Sequence, residues 1–151
     1  MTAPYRSPEA LAKACAETLY ARDTATQALG IELLEVSPGQ ASLGMRVRAD
    51  MLQGHGTCHG GFLFALADSA FAFACNSQDK ATVAQGCCID YIAPALHDDL
   101  LRATALEQSR KGRTGVYDVR IENQRGELIA LFRGKSYQVR GTVLAQETQD
   151  D

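Results

Sequence analysis

Between Gly60 and Asn76 the chain reads Phe62-Leu63-Phe64-Ala65-Leu66-Ala67, then Ala70-Phe71-Ala72-Phe73-Ala74-Cys75, and Asp68 is the only side chain of a charged type. Apolar residues on every face predict a helix that is covered on all sides. Elsewhere the period shortens to two. Gln40 to Arg48 alternates Ala41, Leu43, Met45 and Val47 with Ser42, Gly44, Arg46 and Arg48, a strand with one buried face, and Ser37-Pro38-Gly39 joins it to a strand over Ile31 to Val36. Thr82 to Ile92 is apolar enough to predict a central strand. Leu100 to Gln108 alternates Leu101, Ala103 and Ala105 with Arg102 and Thr104; Gly115 to Asn123 alternates Val119 and Ile121 with Asp118, Arg120 and Glu122. Gln124-Arg125-Gly126 then turns the chain into a last strand over Glu127 to Val139. At the start, Ser7-Pro8-Glu9 reads as an N-cap followed by proline at the first helical position, opening a helix to about Tyr20. A short helical stretch follows near Thr24 to Leu29.

That order predicts an α+β fold, a mostly antiparallel sheet around one central helix, preceded by an N-terminal helical segment over residues 1–29. At 151 residues the chain is expected to form one domain over 1–151, with residues 141–151 a polar, frayed tail. No repeat or linker divides it. A hydrophobic content of 46% with 22% charge is ordinary for a soluble protein. The first thirty residues include Glu9, Lys13, Glu17, Arg22 and Asp23 with no apolar core, and the central apolar run is too short for a membrane span; a cytoplasmic protein is expected. Five cysteines, at 15, 58, 75, 87 and 88, form no CxxC pair, and their odd number argues for reduced, mostly buried thiols. His55, Cys58 and His59 share one short loop, too poorly spread for a tetrahedral metal, so no metal is expected.

The net charge is −3, yet residues 102–140 hold nine Arg or Lys against four acids. A basic half on an acidic chain suggests a localised polyanion site. The pI of 5.6 and the lack of a nucleic-acid-binding motif argue against DNA or RNA. A phosphorylated small ligand fits better, with Arg110, Lys111, Arg113, Arg133 and Lys135 as candidate contacts. The plain alternative is that these charges are solvated and discourage strand-edge aggregation.

The segment Met51-Leu52-Gln53-Gly54-His55-Gly56-Thr57-Cys58-His59-Gly60-Gly61 leads into the apolar helix and holds four glycines and two histidines in eleven positions. The first turn of a helix carries amides without intrahelical partners, so Gly60 and Gly61 are candidate donors to a developing negative charge. Asp68 is a candidate acid or base, unless it is a carboxylate simply bonded to Ser69 or to a neighbouring strand's amide. Eight helical residues rise about 12 Å, so one carbonyl carbon cannot touch both Gly60 and Asp68 of one chain. An antiparallel second helix across a two-fold axis would bring them together, which implies a site shared by a dimer. The alanines at 65, 67, 70, 72 and 74 suit close packing around that helix.

Gly54-His55-x-x-Cys58-His59-Gly60-Gly61, Leu66-Ala67-Asp68-x-Ala70-Phe71-Ala72, Cys75-Asn76-Ser77, Thr114-Gly115-Val116-Tyr117-Asp118 and Phe132-Arg133-Gly134-Lys135-Ser136 closely resemble the PaaI-like hotdog-fold acyl-CoA thioesterases of phenylacetate degradation. The match runs from about Ala28 to Gly141. The resemblance implies a six-stranded sheet wrapped round the helix, with dimers, usually paired into tetramers, and catalysis at the dimer interface. It implies that Gly60 donates its amide to the thioester oxygen and that Asp68 is nucleophile or general base. His59 would shape the oxyanion region or fix the loop. Gln53 stands where many relatives carry Asn. Gly61 and Gly134, with the basic residues above, would contact coenzyme A, which is part of the substrate and not a separate cofactor. Phenylacetyl-CoA and hydroxyphenylacetyl-CoA are the implied substrates. A hotdog enoyl-CoA hydratase or dehydratase and a non-catalytic acyl-CoA-binding protein remain open at this point. No G-x-S-x-G elbow is present, and Ile129 stands where a P-loop ending at Gly134-Lys135-Ser136 needs glycine.

Overall fold

The computed structural model describes residues 5–145. Helix α1 (Pro8–Arg22) starts where Ser7 accepts a bond from the Ala10 amide at 3.1 Å and proline occupies the first turn. Asp23 caps a second helix, α2 (Thr24–Ala28). Strands β1 (Glu32–Ser37) and β2 (Gln40–Arg46) form a hairpin, and a 3₁₀ turn (Ala49–Met51) leads through the glycine-rich loop into α3 (Gly60–Cys75). Four strands follow: β3 (Thr82–Tyr91), β4 (Leu100–Lys111), β5 (Thr114–Glu122) and β6 (Leu128–Gln138).

All six strands pair antiparallel in one sheet, in the order β1-β2-β4-β5-β6-β3. The inner face sets Leu43, Met45, Leu101, Ala103, Ala105, Tyr117, Val119, Ile121 and Phe132 against α3, all of them buried. Small residues let the sheet curl closely round the helix. The clearest case is Gly134, where a Cβ would lie 2.8 Å from three atoms of the Phe71 ring. A side chain there would push α3 off the sheet.

Four expectations change. The β3 strand is not central: it pairs only with β6 and forms an edge, with Val83, Tyr91 and Ile92 exposed. Its hydrophobicity lies on an exposed strand edge that no other described strand pairs with. Nor is α3 enclosed on all sides. Leu63, Leu66, Ala67, Ala70, Phe71, Phe73 and Ala74 are buried, whereas Gly61 is exposed and Ala65, Asp68, Ala72 and Cys75 are half-buried, a stripe at helical spacing. The tail does not fray from Gly141. Asp79 accepts bonds from the amides of Val143 and Leu144, Arg22 donates to the Val143 carbonyl, and Val143 is buried; residues 146–151 of the expected tail lie outside the described residues. Finally, β4 runs past Gln108 to Lys111, because a bulge between Glu107 and Ser109 absorbs the break in alternation. No described helix is long and apolar enough to cross a membrane.

Candidate active site

The loop before α3 is tied down by its own backbone. The Gln53 amide donates to the Thr57 carbonyl at 2.9 Å, that of His59 to Met51 at 2.7 Å, and that of Cys58 to Ala95 at 2.9 Å. Gly56 turns the chain at φ +83°, a conformation that strains any other residue. The Gln53 side chain closes the same turn: its Nε2 donates to Thr57 Oγ1 at 2.7 Å and its Oε1 accepts from the His55 amide. Gln53 therefore faces the site with both ends of its amide already engaged in the loop.

His59 is the N-cap of α3, and its Nδ1 accepts from the Gly61 amide at 2.9 Å. That bond removes Gly61 from the expected pair of oxyanion donors. The Gly60 N–H has no partner among the described residues, and it sits at the positive end of a 16-residue helix. It borders a cleft of about 380 Å³ lined by Gln53, Thr57, Gly60, Leu63, Tyr91 and Pro94. One wall is the end of β3, where the Tyr91 hydroxyl donates to the Gly60 carbonyl at 3.0 Å.

Asp68 lies two turns further along, on the half-open stripe. Among the described residues its carboxyl has no hydrogen bond and no ion pair. The alternative in which Ser69 satisfies it is not realised, because the Ser69 hydroxyl pairs with Thr26 Oγ1 at 3.0 Å and Thr26 in turn donates to Asp23 Oδ2 at 2.6 Å. Burial raises the Asp68 pKa above 3.8, and the negative charge of Asp23 adds to the effect. Cys75 and Cys87 flank the carboxyl; burial pushes Cys75 up to about 12 and Cys87 up as well, so both are neutral thiols near pH 7.

Gln53 and Gly60 thus line one cleft, with His59 and Gly61 bonded to each other at the adjoining helix start and Asp68 on the same helix but out of reach. The basic residues do not join them. Arg110, Lys111 and Arg113 belong to the β4–β5 turn beyond the C-terminal end of α3, beside Cys75. Arg133 and Lys135 point outward on β6. Gly134, an expected ligand contact, faces inward against the Phe71 ring. Much of the basic surplus is neutralised locally: Arg133 forms a two-pronged bond with Asp118 at 2.7 and 2.9 Å, which holds the Asp118 carboxyl below its ordinary range, and Arg110 pairs with Glu107 at 3.4 Å. Arg102, Arg120 and Arg125 pair with Glu35, Glu122 and Asp99. Lys111, Arg113 and Lys135 have no ion pair among the described residues. No three His, Cys, Asp or Glu side chains of the described residues are placed to hold a metal ion.

The residue pattern did not flag Tyr91 or Asp23 as site residues. Tyr91 reads as one more aromatic of a β-strand. Asp23 caps α2 in the structure, and its distance from Asp68 is a property of tertiary packing alone.

Residues 55–130 match the family model described as Thioesterase superfamily. The acyl-coenzyme A thioesterase PaaI of Escherichia coli (strain K12) is 47% identical over 131 residues, covering 87% of this chain and 94% of that one. The solved structure of the E. coli PaaI protein from the phenylacetic acid degradation operon superposes with a TM-score of 0.89 over 90% of this chain and 99% of that chain. A mutant of the phenylacetic acid degradation protein PaaI from Thermus thermophilus, 43% identical, superposes with a TM-score of 0.75 over 78% of this chain and 100% of that chain. With the six-stranded sheet wrapped round a helix that carries the free Gly60 amide at its N-terminus and Asp68 on its open face, these matches place the chain in the thioesterase superfamily, in its hotdog fold.

Proposed function

We propose that this protein is a cytoplasmic thioesterase that hydrolyses arylacetyl thioesters of coenzyme A, phenylacetyl-CoA or hydroxyphenylacetyl-CoA, to the free acid and CoA. The observation that carries the reading is the unpaired Asp68 carboxyl on the open stripe of α3, together with the unpaired Gly60 amide at the start of that helix. The amide polarises the thioester carbonyl and stabilises the tetrahedral oxyanion. Asp68 either attacks the carbonyl to form an anhydride, expelling the CoA thiolate, or takes a proton from the attacking water.

Both groups serve one substrate when a second copy lies antiparallel along the stripe of Gly61, Ala65, Asp68, Ala72 and Cys75, its β3 edge meeting this one. That arrangement also carries the partner's β4–β5 turn, with Lys111 and Arg113, from about 22 Å along α3 toward this protomer's Gly60, where the nucleotide phosphates of CoA need cations. Leu34, Leu100, Leu106 and Leu131, exposed on the outer face of the sheet, suit the pairing of two such dimers into a tetramer.

The test is thiol release from phenylacetyl-, hydroxyphenylacetyl-, benzoyl-, short-chain and long-chain acyl-CoA, with Asp68→Asn alongside. Release from the aryl esters is expected to fall about 10²- to 10⁴-fold in the variant while CoA-ester binding and fold persist. A silent panel with intact binding, or hydration of crotonyl-CoA in its place, would overturn the reading.

A further inference from the structure

Glycine at an oxyanion donor brings freedom that catalysis must remove, since an amide that wanders cannot be preorganised for the transition state. The two peptide planes that meet at Gly60 are each held from outside. The plane before it is fixed through the His59 carbonyl, which accepts from the Phe62 amide at 3.0 Å. The plane after it is gripped at both ends: its carbonyl accepts from the Tyr91 hydroxyl at 3.0 Å, and its N–H, that of Gly61, donates to His59 Nδ1 at 2.9 Å. A backbone amide can only donate, so His59 Nδ1 is the acceptor of this bond. The bonds run in one direction, from phenol to peptide to imidazole, and each polarises the next. The contact is also steric: a Cβ on Gly60 would lie 2.8 Å from Tyr91 Cζ and from its hydroxyl oxygen. The strand end therefore rests directly on the residue whose N–H faces the cleft.

We infer that Tyr91 is a positioning residue for the hydrolysis, holding the Gly60–Gly61 peptide so that the Gly60 amide stays aimed at the thioester oxygen. It touches no reacting atom; its hydroxyl acts through the peptide and its ring forms the wall. The inference rests on the thioesterase reading, and the test separates the two.

Tyr91→Phe keeps the ring and deletes one hydroxyl from a side chain that is 53% exposed in the protomer, so folding is not at risk. Two measurements are made on the full chain. The first is steady-state thiol release from the best CoA ester of the panel, where kcat is expected to fall about 3- to 10-fold with KM and Tm unchanged. The second is hydrogen exchange at the Gly61 amide by NMR without substrate, expected to quicken by a similar factor, about 3- to 10-fold, as the grip on its peptide loosens. An unchanged kcat overturns the inference, as does a loss that appears as a rise in KM, which would make Tyr91 a substrate wall only. Unchanged exchange at Gly61 overturns it as well. Should the wild-type protein release no thiol from any ester, the thioesterase reading fails by that control, and the exchange measurement still decides whether Tyr91 holds the turn.

Discussion

Asp68 sits in a helix of small and apolar side chains with nothing donated to it among the described residues, and both influences on its acidity act in one direction. Burial disfavours the carboxylate, and Asp23, the cap of α2, adds a negative charge. The other titratable groups that face it, Cys75 on α3 and Cys87 on β3, are thiols kept neutral by burial and add no opposing charge. In its proposed role of nucleophile or general base Asp68 works only when ionised, so activity should rise with pH across a carboxyl pKa that lies above 3.8. Asp23→Asn retains the carbonyl oxygen that accepts from the Thr26 amide at 2.9 Å, and hence the cap, but removes the charge and replaces the oxygen that accepts from Thr26 Oγ1 with an NH2, to which that hydroxyl must turn acceptor. The acid limb of kcat/KM against pH is expected to move to lower pH in this variant, with the plateau rate little changed. A limb that stays where it was would mean that Asp23 does not reach the titrating group.

At the scale of elements, close approach of α3 to the sheet is what the small residues secure. Gly134→Ala would put a methyl group 2.8 Å from the Phe71 ring, between a buried aromatic and a paired strand with no free space. Overpacking of this kind costs about 1–3 kcal/mol and should lower Tm by roughly 3–10 °C in a chain of this size, measured by thermal denaturation, without changing KM. An unchanged Tm would mean that Phe71 yields freely and that Gly134 is not a packing contact. The same elements mark how far the residue pattern could be read. Alternation along β2, β4 and β5 was legible because each has one buried and one solvated face, and the buried run of α3 and the cap at Ser7 were legible from their residues alone. The place of β3 was not, because an apolar edge strand has the composition of a central one. Asp68 stood out as one charge in an apolar run. The engagement of Gly61 by His59, of Gln53 by Thr57, and of Arg133 by Asp118 was hidden, since each depends on which neighbour a polar group meets after folding.

At the scale of the whole molecule, the protomer carries both groups of the proposed site but holds them apart. About 12 Å of helix separates the Gly60 amide from Asp68, and the stripe that carries Asp68 opens beside the unpaired edge of β3. If the site forms between two chains, a chain lacking one part can be completed by a chain lacking the other. Gly60→Pro removes the donor N–H at a first helical position that tolerates proline, after a His59 already at ψ 133°, and the clash it introduces falls on the outer end of the Tyr91 side chain. Asp68→Asn removes the carboxylate. Each variant alone should be nearly inactive, because each homodimer has the same defect in both of its sites. In a dimer of one Gly60→Pro chain and one Asp68→Asn chain, one site receives an intact Gly60 from one chain and an intact Asp68 from the other, while the second site has neither. Random pairing after co-expression makes about half the dimers mixed, and so about a quarter of wild-type activity is expected to return. A site contained within one chain would give no recovery at any mixing ratio, and thiol release from the co-expressed variants therefore distinguishes the two architectures directly.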